Sequence, residues 1–151
     1  MVSDSPDFTL DTPVLRQLHA YWADKCAGRP YPSRDDIDPL GLKFILGNLL
    51  LIEVGDEPEP RFRYRLFGSE IARQQGFDMT GKYTDQHPWP DFAARAREVY
   101  LGVLQTTRPS LIRRRGLIGE QVFDHQSLIL PLGNDRIDML LVGVVFSPAT
   151  P

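Results

Sequence analysis

"YRLFGSEIARQQGFDMTGK", residues 64–82, is the stretch that decides how this chain folds. Tyr64–Phe67 has the composition of a strand and stops at Gly68; Ser69 opens a helix-like run that ends at Gly76, and Asp78–Gly81 makes a second turn. A glycine at a strand-to-helix corner either cradles a phosphate or lets the chain turn. A cradle needs several free backbone N–H groups and no anion beside them. Here Glu70 falls in the first helical turn, no Lys-Ser/Thr pair follows, and no third glycine stands at dinucleotide spacing. The corner is therefore read as a turn, with Gly68 bending the chain, Ser69 capping the short helix and Gly76 stopping it. It folds short helices over a sheet and makes one wall of a cavity.

Working outward, Arg61–Phe67 alternates, with Phe62, Tyr64 and Leu66 on one face and Arg61, Arg63 and Arg65 on the other, as in a half-buried antiparallel strand. Arg65 is expected on the face where an N-terminal helix packs, paired with Asp24 or with a partner chain. Asn48–Val54 is a near-continuous apolar run, which suits a strand covered on both faces. Gly55–Pro60 separates the two as a turn loop. Upstream, residues 1–11 read as a flexible arm, and Thr12-Pro13 starts a helix over 12–27 with Leu15, Leu18 and Trp22 in one apolar stripe. A turn-rich connector, 29–39, leads to a short helix at 39–46.

Downstream, Tyr83–Pro90 is an aromatic, proline-rich loop, and Asp91 caps a helix of about four turns. Strands follow at about 110–117, 121–132 and 137–146, with hairpin turns at Gly116–Gly119 and Gly133–Asp135 and a tail at 148–151. The fold class that results is α+β: a five-stranded antiparallel sheet with helices inserted between strands 2 and 3 and lying over one face, plus the N-terminal helix, all in one domain over 12–147.

The chain's 151 residues and 42% apolar content fit one globular domain, and a net charge of −3 argues against nucleic acid or an anionic membrane as partner. No apolar run approaches the ~20 residues of a membrane span, and the acidic N-terminus has no signal pattern. Together with a single cysteine, Cys26, these features make the cytoplasm the expected location.

The order of elements, sharpened by Phe67–Ile71, Gly76–Lys82, "DIDP" at 36–39, "YRLFG" at 64–68 and "LPL" at 130–132, resembles the PAS sensory-domain superfamily, and in particular a bacterial group of small, often free-standing PAS proteins. The likeness spans residues 14–146. It implies a non-enzymatic sensor or interaction module that binds a small ligand between sheet and helices, pairs as a homodimer through its N-terminal helix, and signals through a partner protein. Leu15, Leu18 and Trp22 are then the expected dimer surface, although the same stripe could fold back on its own sheet.

An apolar cavity with a few polar tips is the usual form of a small-ligand site. Tyr64, Tyr83, His87, Trp89 and His125 are the residues placed to line one here. The cofactor is not legible. Cys26 lies outside the helix in which a flavin-reactive cysteine sits, there is no P-loop, and a haem would have only His87 as ligand. His19, His87 and His125 have no metal-site spacing. A small isomerase- or hydrolase-type enzyme using the same pocket is the alternative. Ser127 shares a strand face with His125, but Asp124 points the other way and cannot orient that base. Alternation likewise splits Arg113, Arg114 and Arg115 between two faces, as expected of a cationic edge strand.

Overall fold

The computed structural model describes residues 9–56, 60–118 and 120–148. The expected arm at 1–8, the centre of the first turn loop at 57–59, Gly119 and the tail at 149–151 lie outside the described residues. The chain runs α1 (Pro13–Cys26), β1 (Leu49–Gly55), β2 (Arg61–Phe67), α2 (Ser69–Gln75), α3 (Pro90–Thr106), β3 (Ser110–Ile118), β4 (Gln121–Gly133) and β5 (Ile137–Pro148). Three short 3-10 turns, Arg34–Asp36, Pro39–Leu42 and Leu46–Asn48, join α1 to β1 in place of the short helix expected at 39–46, and one, Thr84–Gln86, joins α2 to α3. The strands form one antiparallel sheet in the order β2-β1-β5-β4-β3. The first and last hairpins are thus zipped together by β1 and β5, with Leu50 opposite Val142 and Ile52 opposite Leu140.

Because side chains alternate along a strand, the sheet divides its apolar residues between two cores. Leu50, Ile52, Phe62, Tyr64, Ile129, Leu140, Val142 and Val144 face α2 and α3. Leu49, Leu51, Leu128, Leu130, Leu132 and Leu141 face the other way, against α1 and the turn residues Ile37, Leu42 and Ile45. The inserted helices therefore cover one face, and α1 covers the other. Each core needs its own layer because β1, β4 and β5 are apolar on both sides, and an uncovered side would leave a large apolar patch in water.

α1 sits where close packing allows it. Leu15 and Leu18 are fully buried, Trp22 nearly so, and the Trp22 indole donates to the Pro131 carbonyl of β4 at 2.9 Å. A Cβ at Gly143 of β5 would come within 2.5 Å of Leu18, so the glycine makes the seat for the helix. Leu15, Leu18 and Trp22 are thus packed against their own sheet, the second of the two arrangements open to that stripe.

Two local expectations change. Ser69 does not cap α2; it is the first helical residue and Gly68 precedes it as cap, with its N–H on the Leu49 carbonyl at 2.8 Å. A Cβ at Gly68 would fall 2.3 Å from the Gly47 carbonyl oxygen, so what the corner demands is close approach of two backbones. Gly76 and Gly81, by contrast, are required for their positive φ. α3 likewise starts one residue before Asp91, with Trp89 as cap and Pro90 first in the helix. In β2 the register shifts, since Leu51 pairs with Leu66 and Ile52 with Tyr64, leaving Arg65 as the extra residue of a bulge. The bulge turns Leu66 out and Phe67 in. Arg65 is exposed on this edge strand and, among the described residues, has neither Asp24 nor any other carboxylate as an ion-pair partner.

Candidate functional site

The sheet register builds a row of side chains across three strands on the α3 side. Arg114 of β3 lies opposite His125 of β4, and His125 lies opposite Phe146 of β5. One step inward the row is Ile112, Ser127 and Val144; one step outward it begins with Gly116 and Phe123. α3 crosses above these rows at its N-terminal end and lowers Phe92 onto them, with ring centroids of Phe92 and His125 5.3 Å apart and those of His125 and Phe146 5.1 Å apart. The loop before α3 adds His87 and Trp89, at 5.3 and 6.3 Å from Phe92, and Phe77 closes the ring stack at 5.1 Å from His87.

Between these rings and the sheet opens a cleft of about 390 Å³, lined mainly by Trp89, Phe92, Phe123, His125, Phe146 and the Gln75 end of α2. Beside it lies a small void of about 10 Å³ bounded by Tyr64, His87, Tyr100, Ser127, His125 and Gln75, roughly the room of one water. Phe92, Gln75 and His125 border both spaces. Of the five expected lining residues, the structure brings four together: Tyr64 and His87 at the void, Trp89 at the cleft, His125 at both. Tyr83 stands apart. Its ring lies under the Arg61 guanidinium at 3.6 Å, beside the outer edge of β2, and borders neither space.

The polar groups here are short of partners. Tyr64 and Tyr100 share a hydrogen bond, and burial pushes both phenols well above their usual range, so both are neutral. The Trp89 backbone N–H donates to His87 Nδ1 at 2.9 Å, and burial among the rings pushes His87 down to about 4. His125 is pushed down to about 4 as well, by burial first and by the neighbouring Arg114 charge second. Its Nε2 meets the Ser127 hydroxyl at 3.1 Å, while its Nδ1 is buried without a partner. The Gln75 side-chain carbonyl is also buried without one. An unsatisfied buried polar atom costs about 1–3 kcal/mol, and the small void that Gln75 and His125 both border has room for a water to partner one of them.

Asp124 points away from this face and bonds Arg115 at 3.0 Å. The Ser127–His125 pair therefore has no carboxylate behind it, and a neutral, weakly basic imidazole is a poor proton acceptor. Cys26 packs with the α1 core, across the sheet from the cleft. Among the described residues no three of His, Cys, Asp and Glu converge in a metal-binding group, and no helix is long and apolar enough to cross a membrane. Phe146, Phe123, Gln75 and Arg114 were not singled out from the sequence as lining residues. The cross-strand register that assembles them is fixed by hairpin geometry, which composition does not report.

The sequence profile of the PAS domain family matches residues 10–145. No curated protein matches the chain. Among solved structures, the PAS domain of BvgS from Bordetella pertussis is similar at 15% identity and a TM-score of 0.53, over 72% of this chain and 82% of that one. A sensory box sensor histidine kinase from Vibrio cholerae matches at 16% identity and 0.50, over 74% and 93%. A LOV protein from Rhodobacter sphaeroides matches at 21% identity and 0.47, over 65% of this chain, which spans only 58% of that protein's length.

Proposed function

We propose that this chain, which belongs to the PAS domain family, is a non-enzymatic cytoplasmic sensory module that holds a small, mostly apolar molecule in the cleft between α3 and the β3–β5 face and reports its presence to a signalling partner. The observation that carries this reading is the pair of buried, unpartnered acceptor and imidazole atoms, Gln75 Oε1 and His125 Nδ1, at the inner end of an aromatic cleft. Neither atom finds a partner within the chain, so each calls for one from outside it, and a site for a polar solute would carry more than a few polar tips. The His125–Ser127 contact is the one feature in favour of a hydrolase; the placement of Asp124 on the opposite face weighs against it. Pairing into a homodimer belongs to the same proposal but needs a surface other than the α1 stripe. The large apolar side chains exposed among the described residues, Leu40, Leu46 and Leu66, are what such a surface has to offer.

Native mass spectrometry of the protein as purified from cells tests the sensor reading. A reproducible adduct that is lost on denaturation, and that Gly116→Leu removes by filling the cleft floor, supports it. A bare mass from protein prepared in several hosts and growth conditions refutes it. Gly116 suits the blocking role because a Cβ there meets nothing within 4 Å.

A further inference from the structure

The three successive arginines of β3 are not equivalent. Arg113 bonds Asp11 at 3.2 Å and Arg115 bonds Asp124 at 3.0 Å, both on the α1 side of the sheet. Arg114, facing the other way, borders the cleft and has no carboxylate partner among the described residues; its guanidinium rests over the Phe92 ring at 5.1 Å. The cleft thus has an aromatic body, a fixed positive charge at its rim and, where it adjoins the inner void, two lining residues, Gln75 and His125, that each hold a buried unpartnered polar atom, Oε1 and Nδ1. A guanidinium on an edge strand, stacked on an aromatic ring, is pre-organised to receive a planar carboxylate through two parallel hydrogen bonds. Asp91 borders the same cleft, so a dianion such as a phosphate monoester meets repulsion there while a monoanion is tolerated.

At the inner end, Gln75 Oε1 accepts only, and a ligand must bring it a donor. Because the Ser127 hydroxyl can donate to or accept from His125 Nε2, His125 Nδ1 is available as acceptor or as donor. A hydroxyl, which does both, satisfies either arrangement. From this we infer that the cleft takes an aromatic monocarboxylic acid that carries a hydroxyl at the end remote from its carboxylate. The carboxylate pairs with Arg114, the ring lies among Phe92, Trp89 and Phe146, and the hydroxyl reaches Gln75 Oε1 and His125 Nδ1. No covalent step is involved; the acid binds and leaves unchanged. This assignment rests on the cleft being a ligand site and adds to it the chemistry of the ligand.

Three probes separate its parts in calorimetric titrations of the whole chain near neutral pH: 6-hydroxy-2-naphthoate with both groups, 2-naphthoate without the hydroxyl, and 2-naphthol without the charge. The full probe is expected to bind about tenfold or more tighter than 2-naphthol and about fivefold tighter than 2-naphthoate. Arg114→Gln is expected to weaken 6-hydroxy-2-naphthoate by about tenfold and to leave 2-naphthol within about twofold of the parent. Gly116→Leu abolishes binding of all three, and the near-ultraviolet dichroism of both variants reports that they are folded. Equal affinity for 2-naphthol and the two acids, or an Arg114→Gln loss that is the same for neutral and charged probes, overturns the acid assignment while leaving the cleft as a ligand site. Failure of all three to bind overturns the assignment, and the native mass measurement then decides the cleft reading separately.

Discussion

Acidifying the protein should destabilise it through His125, and the size of the effect follows from where the imidazole sits. His125 is 6% exposed, enclosed by Phe92 and Phe146, and its nearest charged neighbour, Arg114, repels a proton. No carboxylate compensates on its own strand: Asp124 faces the opposite side, and Asp91 of α3 reaches only the outer cleft. The folded-state value is therefore lowered to about 4 from 6.5. The sign follows from proton binding: between these two values the unfolded chain binds a proton that the folded chain refuses, so stability falls as pH falls. The contribution is fully present above pH ~6.5 and is lost as the pH drops towards ~4. Each pH unit in that window costs about 1.4 kcal/mol, which makes about 2 kcal/mol at pH ~5. The assay is urea unfolding at pH ~7.5 and ~5, of the parent and of His125→Phe, which keeps the ring contacts and removes the titration. The comparison is a difference of differences, so the constant cost of leaving Ser127 without its partner cancels. The parent should lose about 2 kcal/mol more than the variant on acidification, equivalent to about 4–8 °C in midpoint temperature for a domain of this size. Parallel pH profiles for the two proteins would refute the claim that His125 is held neutral by burial.

Leu18→Ala should cost about 2–5 kcal/mol in urea unfolding and leave the sedimentation coefficient of the folded protein unchanged, because Leu18 is fully buried against Gly143 of its own chain; a folded variant that sediments more slowly than the parent would restore α1 as a dimer surface. Gly68→Ala should cost about 1–3 kcal/mol, since its methyl group meets the Gly47 carbonyl and neither backbone can yield cheaply; an unchanged thermal midpoint would contradict the close approach at the corner. Arg65→Glu, at the exposed bulge of an edge strand, should shift stability by no more than about 0.5 kcal/mol, and a larger loss in denaturant titration would mean that Arg65 has a partner.

These outcomes trace back to which features of the sequence carry structural information. β1, β4 and β5 were legible because runs such as Leu49–Ile52 and Leu128–Leu132 are apolar without interruption, and only a strand covered on both faces buries such a run. That observation implies a second covering layer, and α1 supplies it. Periodicity shows which side of α1 is buried and not what buries it. Leu15, Leu18 and Trp22 read equally well as a dimer stripe and as a core stripe, and what separates them is Gly143, a contact about 125 residues away that no window of sequence reports. The alternation in β2 was read correctly through Tyr64 and lost at Arg65, because one inserted residue inverts every side chain after it. For the site, the aromatic loop drew attention to His87 and Trp89, and strand parity placed Ser127 beside His125. Tyr83 has the same composition around it but turns to Arg61 instead, a choice made by the 3-10 turn Thr84–Gln86 that starts at it.

β4 ties the two halves of the molecule together, and its period of two makes it able to do so. His125 and Ser127 point into the cleft region, while Gln126, between them, points to the opposite side and meets the Thr12 hydroxyl at the start of α1 at 3.1 Å. Five residues on, the Pro131 carbonyl accepts from Trp22, so the same strand holds α1 near both of its ends. A molecule seated against His125 presses on a backbone whose next side chain grips the opposite helix layer. The strand does not need to move far for this to matter, because close-packed interiors transmit small shifts and do not absorb them. Leu18 on Gly143 is in contact already, and Gly143 pairs with Leu128, one residue beyond Ser127. β4 alone thus stands between the cleft and α1, with alternate side chains meeting each.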